Sequence, residues 1–407
     1  MSWKKTCETE ERFQFIEDWK QNDWNFTELC DRYEVSRKTG YKWLERYQAE
    51  GLDGLQERSR APLWHPNQVV TEVAEALAET RDVHPSWGPV KLKAYLEREA
   101  PEIVWPAAST IGVILAERGL VVPRKRRRRG AGSAASGVVA AAGPNAVWSV
   151  DFKGWFRCGG GVRCDPLTIS DAFSRFVLRC QALTGEKTAL VHPVFQAAFQ
   201  EYGLPERMRS DNGPPFAAPG LAGLSELAVW WIKLGIHPER ITPGRPSENG
   251  RHERMHRVLK QETAQPPAED LRAQQHQFDR FRQEYNYQRP HAALGLKVPG
   301  DLYVPSPRGY PSRLPEIAYP GAYNVRWVGP CGTMRWASGK VFVSKALAGE
   351  PVGLEAVAEG RWRLWFSFYE LGEFDERQMA IRRVRQRPAA PPIRDLGVSA
   401  APTEARP

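Results

Sequence analysis

The sequence predicts a multidomain chain, with all-α modules first, an α/β domain in the middle and a small β-barrel last. Three observations predict it. Apolar residues recur at helical spacing through residues 1–123. From residue 145 short apolar strands alternate with helical stretches. From residue 323 the texture changes to strand-like alternation broken by turn residues. A length of 407 residues accommodates several domains.

Each element has a local cause. Arg12 to Gln21 places Phe13, Ile16 and Trp19 at helical spacing, and Phe26 to Tyr33 forms a second short helix. Ser36 is an N-cap for a third helix, Arg37 to Glu50, and Gly51 is its stop. A short helix, a tight turn and a capped basic helix make a helix-turn-helix pattern within residues 1–62. Arg37, Lys38 and Lys42 should point outward as DNA contacts, and Tyr41, Leu44 and Tyr47 inward. Residues 67–123 read as a second helical, winged-helix-like module, with Ser109 as an N-cap and Gly119 as a stop.

Arg124, Lys125, Arg126, Arg127, Arg128 and Arg129 then run without an intervening acid, and Gly130 to Gly143 is an uncharged Ala/Gly/Ser tract. Together residues 124–144 form a basic linker, either solvated or laid on phosphates. Within 145–303, strands are expected at Ala146–Trp155, Asp165–Ile169 and Phe176–Ala182, a helix at Thr188–Tyr202 and a strand at Arg207–Ser210. A helix at Ser225–Leu234, a strand at Ile241-Thr242, a loop at Gly244–Gly250 and a helix at Arg251–Glu262 complete the order. That order fits an α/β sheet of the ribonuclease-H type. Prolines 305 to 320 form a connector, residues 320–385 a small β-barrel, and residues 386–407 a Pro/Ala-rich disordered tail.

The composition, 42% hydrophobic and 26% charged, excludes a disordered chain. No stretch reaches the roughly 18–20 uncharged apolar residues of a membrane-spanning helix, and no membrane partner is expected. The N-terminus turns polar where a signal peptide turns apolar, and the six cysteines are scattered without CxxC. A cytoplasmic, nucleoid-associated protein is expected. The net charge of +9 favours a polyanionic partner. It is unevenly placed: residues 1–123 hold 16 basic and 21 acidic groups, and residues 145–300 hold 20 and 16. Bulk attraction therefore belongs to the linker and the central domain, and should fall with salt.

Three acids stand out. Asp151 lies inside the apolar strand Val147-Trp148-Ser149-Val150-Asp151-Phe152. Asp211 ends a strand and opens the turn Asp211-Asn212-Gly213, in which Asn212 and Gly213 would shape the turn that presents the acid. Glu253 opens a helix after a Gly/Pro-rich loop. Buried or sheet-edge carboxylates are costly unless paired or metal-bound. Converging carboxylates suit Mg²⁺ or Mn²⁺, and two such ions can clamp an in-line phosphoryl displacement.

Val147-Trp148-Ser149-Val150-Asp151, Ser210-Asp211-Asn212-Gly213 and Gly250-Arg251-His252-Glu253 resemble the three acidic motifs of the retroviral-integrase superfamily, with the nearest likeness in bacterial insertion-sequence transposases. Glu284 to Leu294 resembles the tract that follows the catalytic core in those transposases. The resemblance implies an integrase catalytic core of ribonuclease-H-like fold, flanked by helix-turn-helix modules and an SH3-like barrel. It implies that Asp151, Asp211 and Glu253 are the D-D-E catalytic and metal ligands for two Mg²⁺ (or Mn²⁺) ions. It also implies DNA contacts from Arg257 and Lys260, at i+4 and i+7 from Glu253 on one helix face. The partners it implies are double-stranded DNA, as element ends and target, and further copies of the chain in a homo-oligomer.

The third acid has an alternative. Forty-one residues separate Asp211 from Glu253, whereas 36 separate it from Glu248, nearer the family's usual interval. The flanking basic helix favours Glu253. Arg245 and Asn249 are candidate loop contacts with DNA, and Arg289-Pro290-His291 reads as a turn-fixing element. His252-Glu253-Arg254-Met255-His256 also fits the HExxH zinc-peptidase signature, although Arg251, Arg254, Arg257 and Lys260 crowd that helix with cations. The expected function is a transposase that cuts and joins DNA. The alternatives are a catalytically silent DNA-binding regulator or domesticated relative, and a zinc metallopeptidase.

Overall fold

The computed structural model describes residues 8–58, 68–121, 138–242 and 250–382. The Arg124–Arg129 run, Arg245, Glu248, Asn249 and the tail 386–407 lie outside these residues. The chain divides into two compact units, residues 1–70 and 71–407.

The first unit holds α1 (Glu8–Gln21), α2 (Phe26–Arg32) and α3 (Arg37–Glu50). Ser36 caps α3 by accepting from the Thr39 N–H at 3.2 Å, and Gly51 ends it at φ +64°, a left-handed position that glycine takes without a Cβ clash. Phe15, Ile16, Leu29, Cys30, Trp43, Leu44 and Leu55 make its core. Fully burying each large side chain contributes roughly 1.5–3 kcal/mol. The core face of α3 differs from the expected one. Tyr41 is exposed and stacks on Phe26, while Trp43 is buried in its place. Gly40 explains the rotation: a Cβ there would lie 2.7 Å from the Cys30 sulfur, so the backbone of α3 approaches α2 at that point.

The second unit begins with α4 (Thr71–Val83), α5 (Pro89–Glu99) and α6 (Ala108–Glu117) around Leu77, Trp87, Leu92 and Ile111. Its α6 starts one residue before the expected cap: Ala107 is the N-cap and Ser109 lies inside the helix. Polar ties anchor this bundle to later segments of the same unit. Ser86 donates to Glu262 at 2.7 Å, His84 Nδ1 stands 2.9 Å from Glu284, and Arg98 pairs with Asp301 at 3.0 Å.

The central sheet is built from β1 (Val147–Phe152), β2 (Phe156–Arg157), β3 (Arg163–Asp171), β4 (Val177–Leu183), β5 (Arg207–Ser210) and β6 (His237–Arg240). Here β4, β3 and β1 are antiparallel neighbours, and β5 and β6 continue parallel from β1. The expected last strand at Ile241-Thr242 is displaced to His237–Arg240. His237 accordingly pairs with Arg207 and Arg240 with Ser210. Strand alternation then decides which residues meet which helices. Trp148, Val150, Leu167 and Ile169 pack against α7 (Thr188–Tyr202) and α8 (Glu226–Lys233). The opposite face carries α9 (Gly250–Thr263) and α10 (Leu271–Tyr287), with Met255, Leu259, Phe278 and Tyr285 in a second core.

The C-terminal part is β-rich, with β7 (Asn324–Trp327), β8 (Thr333–Trp336), β9 (Gly339–Phe342), β10 (Pro351–Ala358), β11 (Arg361–Phe366), β12 (Tyr369–Asp375) and β13 (Ala380–Arg382). Among the described residues it does not close as the expected barrel. Strands β13, β12, β11, β10 and β7 form one open antiparallel sheet, and β8–β9 is a separate hairpin. The two are joined by the single bridge Val328–Met334, because the hairpin strands spend their main-chain groups on each other.

Candidate active site

The parallel register of β1 and β5 sets the first two acids. Ser149 stands opposite Arg209, so two steps further along both strands Asp151 comes level with Asp211. Neighbouring strands lie about 4.8 Å apart. Asp151 shares the face of Ser149, the face covered by α9, and Glu253 lies exposed in the first turn of that helix. The acids feel one another. The Asp151 carboxyl is pushed up to about 7, first by burial and then by Asp211, with Glu253 adding a smaller push. A hydrogen bond from the backbone of Phe152 and the charge of Lys153 oppose the shift.

The turn after β5 is built to present Asp211. Its Oδ1 accepts from the Gly213 N–H at 3.2 Å, and Asn212 donates to the Ile241 carbonyl at 2.9 Å. A Cβ on Gly213 would stand 3.1 Å from Asp211 Oδ2 and press on that carboxylate.

The histidines of the HExxH pattern serve packing. His252 and His256 are buried, and both Nε2 atoms stand 2.6 Å from the Thr168 hydroxyl. A hydroxyl that donates to one ring nitrogen and accepts from the other requires the accepting ring to be neutral. Burial enforces that: His252 is pushed down to about 3, and His256 is lowered by burial, then by His252 and Lys153. Glu253 is exposed while both rings point inward, so the three do not make a peptidase site. Arg289 and His291 are buried, with Arg289 donating to Glu262 at 2.8 Å, as a turn-fixing element requires.

Arg257 and Lys260 are exposed on the same face of α9 as Glu253. In the first unit Arg37, Lys38 and Lys42 are exposed on α3, and Lys42 lies 4.5 Å from the Trp43 ring centre. Thr168 and Lys153 bear on the site, yet their residue types carry no signal that sequence reasoning could have used. Only the pairing of Thr168 with Asp151 across β1 and β3 reveals the first.

Among the described residues no three His, Cys, Asp or Glu side chains are drawn together as a metal cage. What fits a divalent ion is the donor chemistry. Burial and the neighbouring carboxylates Asp211 and Glu253 raise the proton affinity of Asp151, a hard cation relieves such crowding of oxygen acids, and Mg²⁺ and Mn²⁺ prefer such oxygens.

Residues 141–246 and 234–299 match integrase core domain families, and residues 8–56 and 39–115 match homeodomain-like domain families. A 31.7 kDa protein of insertion element IS407 from Burkholderia multivorans is 28% identical over 239 residues, 58% of this chain and 82% of that protein. The chain belongs to the insertion-sequence transposases of the integrase superfamily. A 39.2 kDa protein of insertion element IS476 from Xanthomonas euvesicatoria is 25% identical to this transposase over 280 residues, 67% of this chain and 76% of the other. The HTLV-2 integrase catalytic core, solved in complex with magnesium, aligns at 16% identity and a TM-score of 0.32, covering 40% of the transposase and all of that core. No helix among the transposase's described residues is long and apolar enough to cross a membrane.

Proposed function

We propose that this transposase binds the ends of its element and performs metal-dependent DNA strand cleavage and strand transfer. Asp151, Asp211 and Glu253 are its catalytic carboxylates. The observation that carries the reading is the parallel register that sets Asp151 level with Asp211 beneath the helix bearing Glu253. Asp151, Asp211 and Glu253 would hold Mg²⁺ or Mn²⁺, proposed as two ions, which when bound would supply charge neutralisation to the phosphoryl displacement. The three carboxylates bind and orient those charges. The Asp211–Gly213 turn fixes one carboxylate, and Asp151 must shed its proton to serve as a ligand.

In the first step water attacks the phosphorus at the element end, and the bond to the departing 3′ oxygen breaks with a proton going to that oxygen. In the second the freed 3′-hydroxyl attacks a target phosphodiester. One P–O bond forms, one breaks, and the proton passes to the leaving oxygen, so no nucleotide cofactor is consumed. Arg257 and Lys260 on α9, the linker run Arg124–Arg129, and Arg37, Lys38 and Lys42 on α3 hold the duplex. A homo-oligomer brings two ends together.

The test uses the purified chain, element-end DNA and Mg²⁺. D151N, D211N and E253Q should each lose nicking while E248Q keeps it. Undiminished nicking by D151N overturns the reading. Loss in E248Q with retention in E253Q moves the third ligand to Glu248.

A further inference from the structure

A cavity of about 250 Å³ lies beside α9, lined by Arg251, His252 and Met255 but not by Glu253. The turn joining β3 to β4 and residues 138–141 close its other sides. Three guanidinium groups line it, and they are not equivalent. Arg209 is already matched by Glu239 at 2.7 Å. Arg251 donates to the Ala172 carbonyl at 2.7 Å and keeps its remaining N–H groups. Arg175 is half-buried, with no hydrogen-bond or ion-pair partner for its side chain among the described residues.

The carboxylate that shares the cavity does not balance Arg175. Asp171 accepts from the Asn145 N–H and from the N–H and hydroxyl of Ser174, so its oxygens are committed to the turn. Arg175 is also held in a backbone conformation that suits glycine, at φ +67°. Burial lowers its proton affinity and, opposed by Tyr285, the charges of Arg251 and Arg254 lower it further. A half-buried cation, short of anions and on a strained turn, has the chemistry of a ligand-binding group.

We propose that this cavity is a second phosphate subsite, which takes one backbone phosphodiester of bound DNA through Arg175, with Arg251 beside it. The proposal rests on the reading that the chain binds DNA, though not on its cutting it. The source is DNA rather than free phosphate because the chain carries a net charge of +9 and six consecutive cations, Arg124–Arg129, stand nine positions before Val138 in the sequence, a composition that favours a polyanion over a single phosphate. The subsite is separate from the carboxylates. Trp148 pairs with Asp171 and Asp151 with Thr168, three residues apart along the strands, or about 10 Å. One phosphate cannot touch both places, but two phosphates of one duplex can.

The experiment measures DNA affinity of the full chain against salt for wild type, R175G, R175K and D151N, with melting temperatures alongside. R175G relieves the left-handed backbone while removing the cation. Its melting temperature should equal or exceed that of wild type. Its salt slope should be shallower by about one, so affinity falls roughly four-fold less than wild type's between 50 and 200 mM. R175K should restore most of the slope, and D151N should keep all of it. A wild-type slope in R175G overturns the DNA subsite. If inorganic phosphate still raises the melting temperature of wild type and not of R175G, the cavity belongs to free phosphate instead. A lower melting temperature in both Arg175 variants, with the slope lost in both, makes the residue structural and also overturns the proposal. A wild type that never nicks DNA but shows the Arg175-dependent slope sinks the catalytic reading and leaves the subsite standing.

Discussion

Replacing Asp151 by Asn should abolish activity and stabilise the metal-free protein, by an amount that grows with pH. The folded carboxyl titrates at about 7 against 3.8 for the ordinary group. The sign follows from linkage. A raised carboxyl pKa means the folded state holds a proton that the unfolded state releases, so stability falls as pH rises from 3.8 towards 7. Asn carries no such penalty. At 1.36 kcal/mol per unit, the advantage of D151N is about 2 kcal/mol at pH 5 and about 4 kcal/mol at pH 8. Urea unfolding of both proteins at several pH values in EDTA measures it, and using the difference cancels groups common to both. Adding Mg²⁺ should stabilise wild type at pH 8 and leave D151N unchanged, because only an ionised Asp151 gains from a cation. A difference that is flat with pH, or a D151N protein less stable than wild type throughout, would refute the claim that burial and neighbouring acids strain this carboxyl.

Other outcomes rest on the same geometry. T168V removes the hydroxyl shared by two buried imidazoles and should cost about 1–3 kcal/mol in urea unfolding, whereas T168S should cost little. His252, at about 3 in the fold against 6.5 unfolded, has the opposite sign to Asp151. Its contribution to stability is present above pH 6.5 and lost as pH falls, so wild type should lose about 2 kcal/mol between pH 7 and 5 that H252Q does not lose. R289A leaves the solvent-accessible Glu262 with only its bond from Ser86 and should destabilise by about 1–3 kcal/mol, read by the urea midpoint. Substituting Arg257 and Lys260 together by Gln should reduce the salt slope of DNA binding by about two while leaving the melting temperature near that of wild type.

Much of the fold was legible in the chain because it depends on local chemistry. Ser36 and Gly51 set both ends of α3 through a cap and a left-handed stop, which involve neighbours within a turn. The helix Thr188–Tyr202 and the strand Arg207–Ser210 have the bounds their patterns predict. The misreadings concern which face meets which. Tyr41 and Trp43 are both apolar enough for a core, and only the close approach of α2 at Gly40 selects Trp43. The last strand of the central sheet fell at His237–Arg240 because pairing with β5 outweighs the weak strand propensity of His-Pro-Glu-Arg. The strand-like alternation of the C-terminal part was legible, but its closure was not: the expected barrel is an open five-stranded sheet with a separate hairpin.

The acids were visible as residues; their meeting was not. Asp151, Asp211 and Glu253 are far apart in the chain, and a one-residue slip of β5 against β1 would turn Asp211 to the other face of the sheet. By itself the sequence determined the inventory: an acid inside an apolar strand, an acid at a Gly turn, an acid on a basic helix, and two histidines one helical turn apart. Tertiary structure decided their use. The register of two parallel strands put two carboxylates level, raising the proton affinity of Asp151. The burial of α9 turned the histidines inward onto Thr168 and left Glu253, Arg257 and Lys260 outside. Charge and coordination act through space over a few ångströms, so a chain can carry the groups, while only its packing brings them within range of one another.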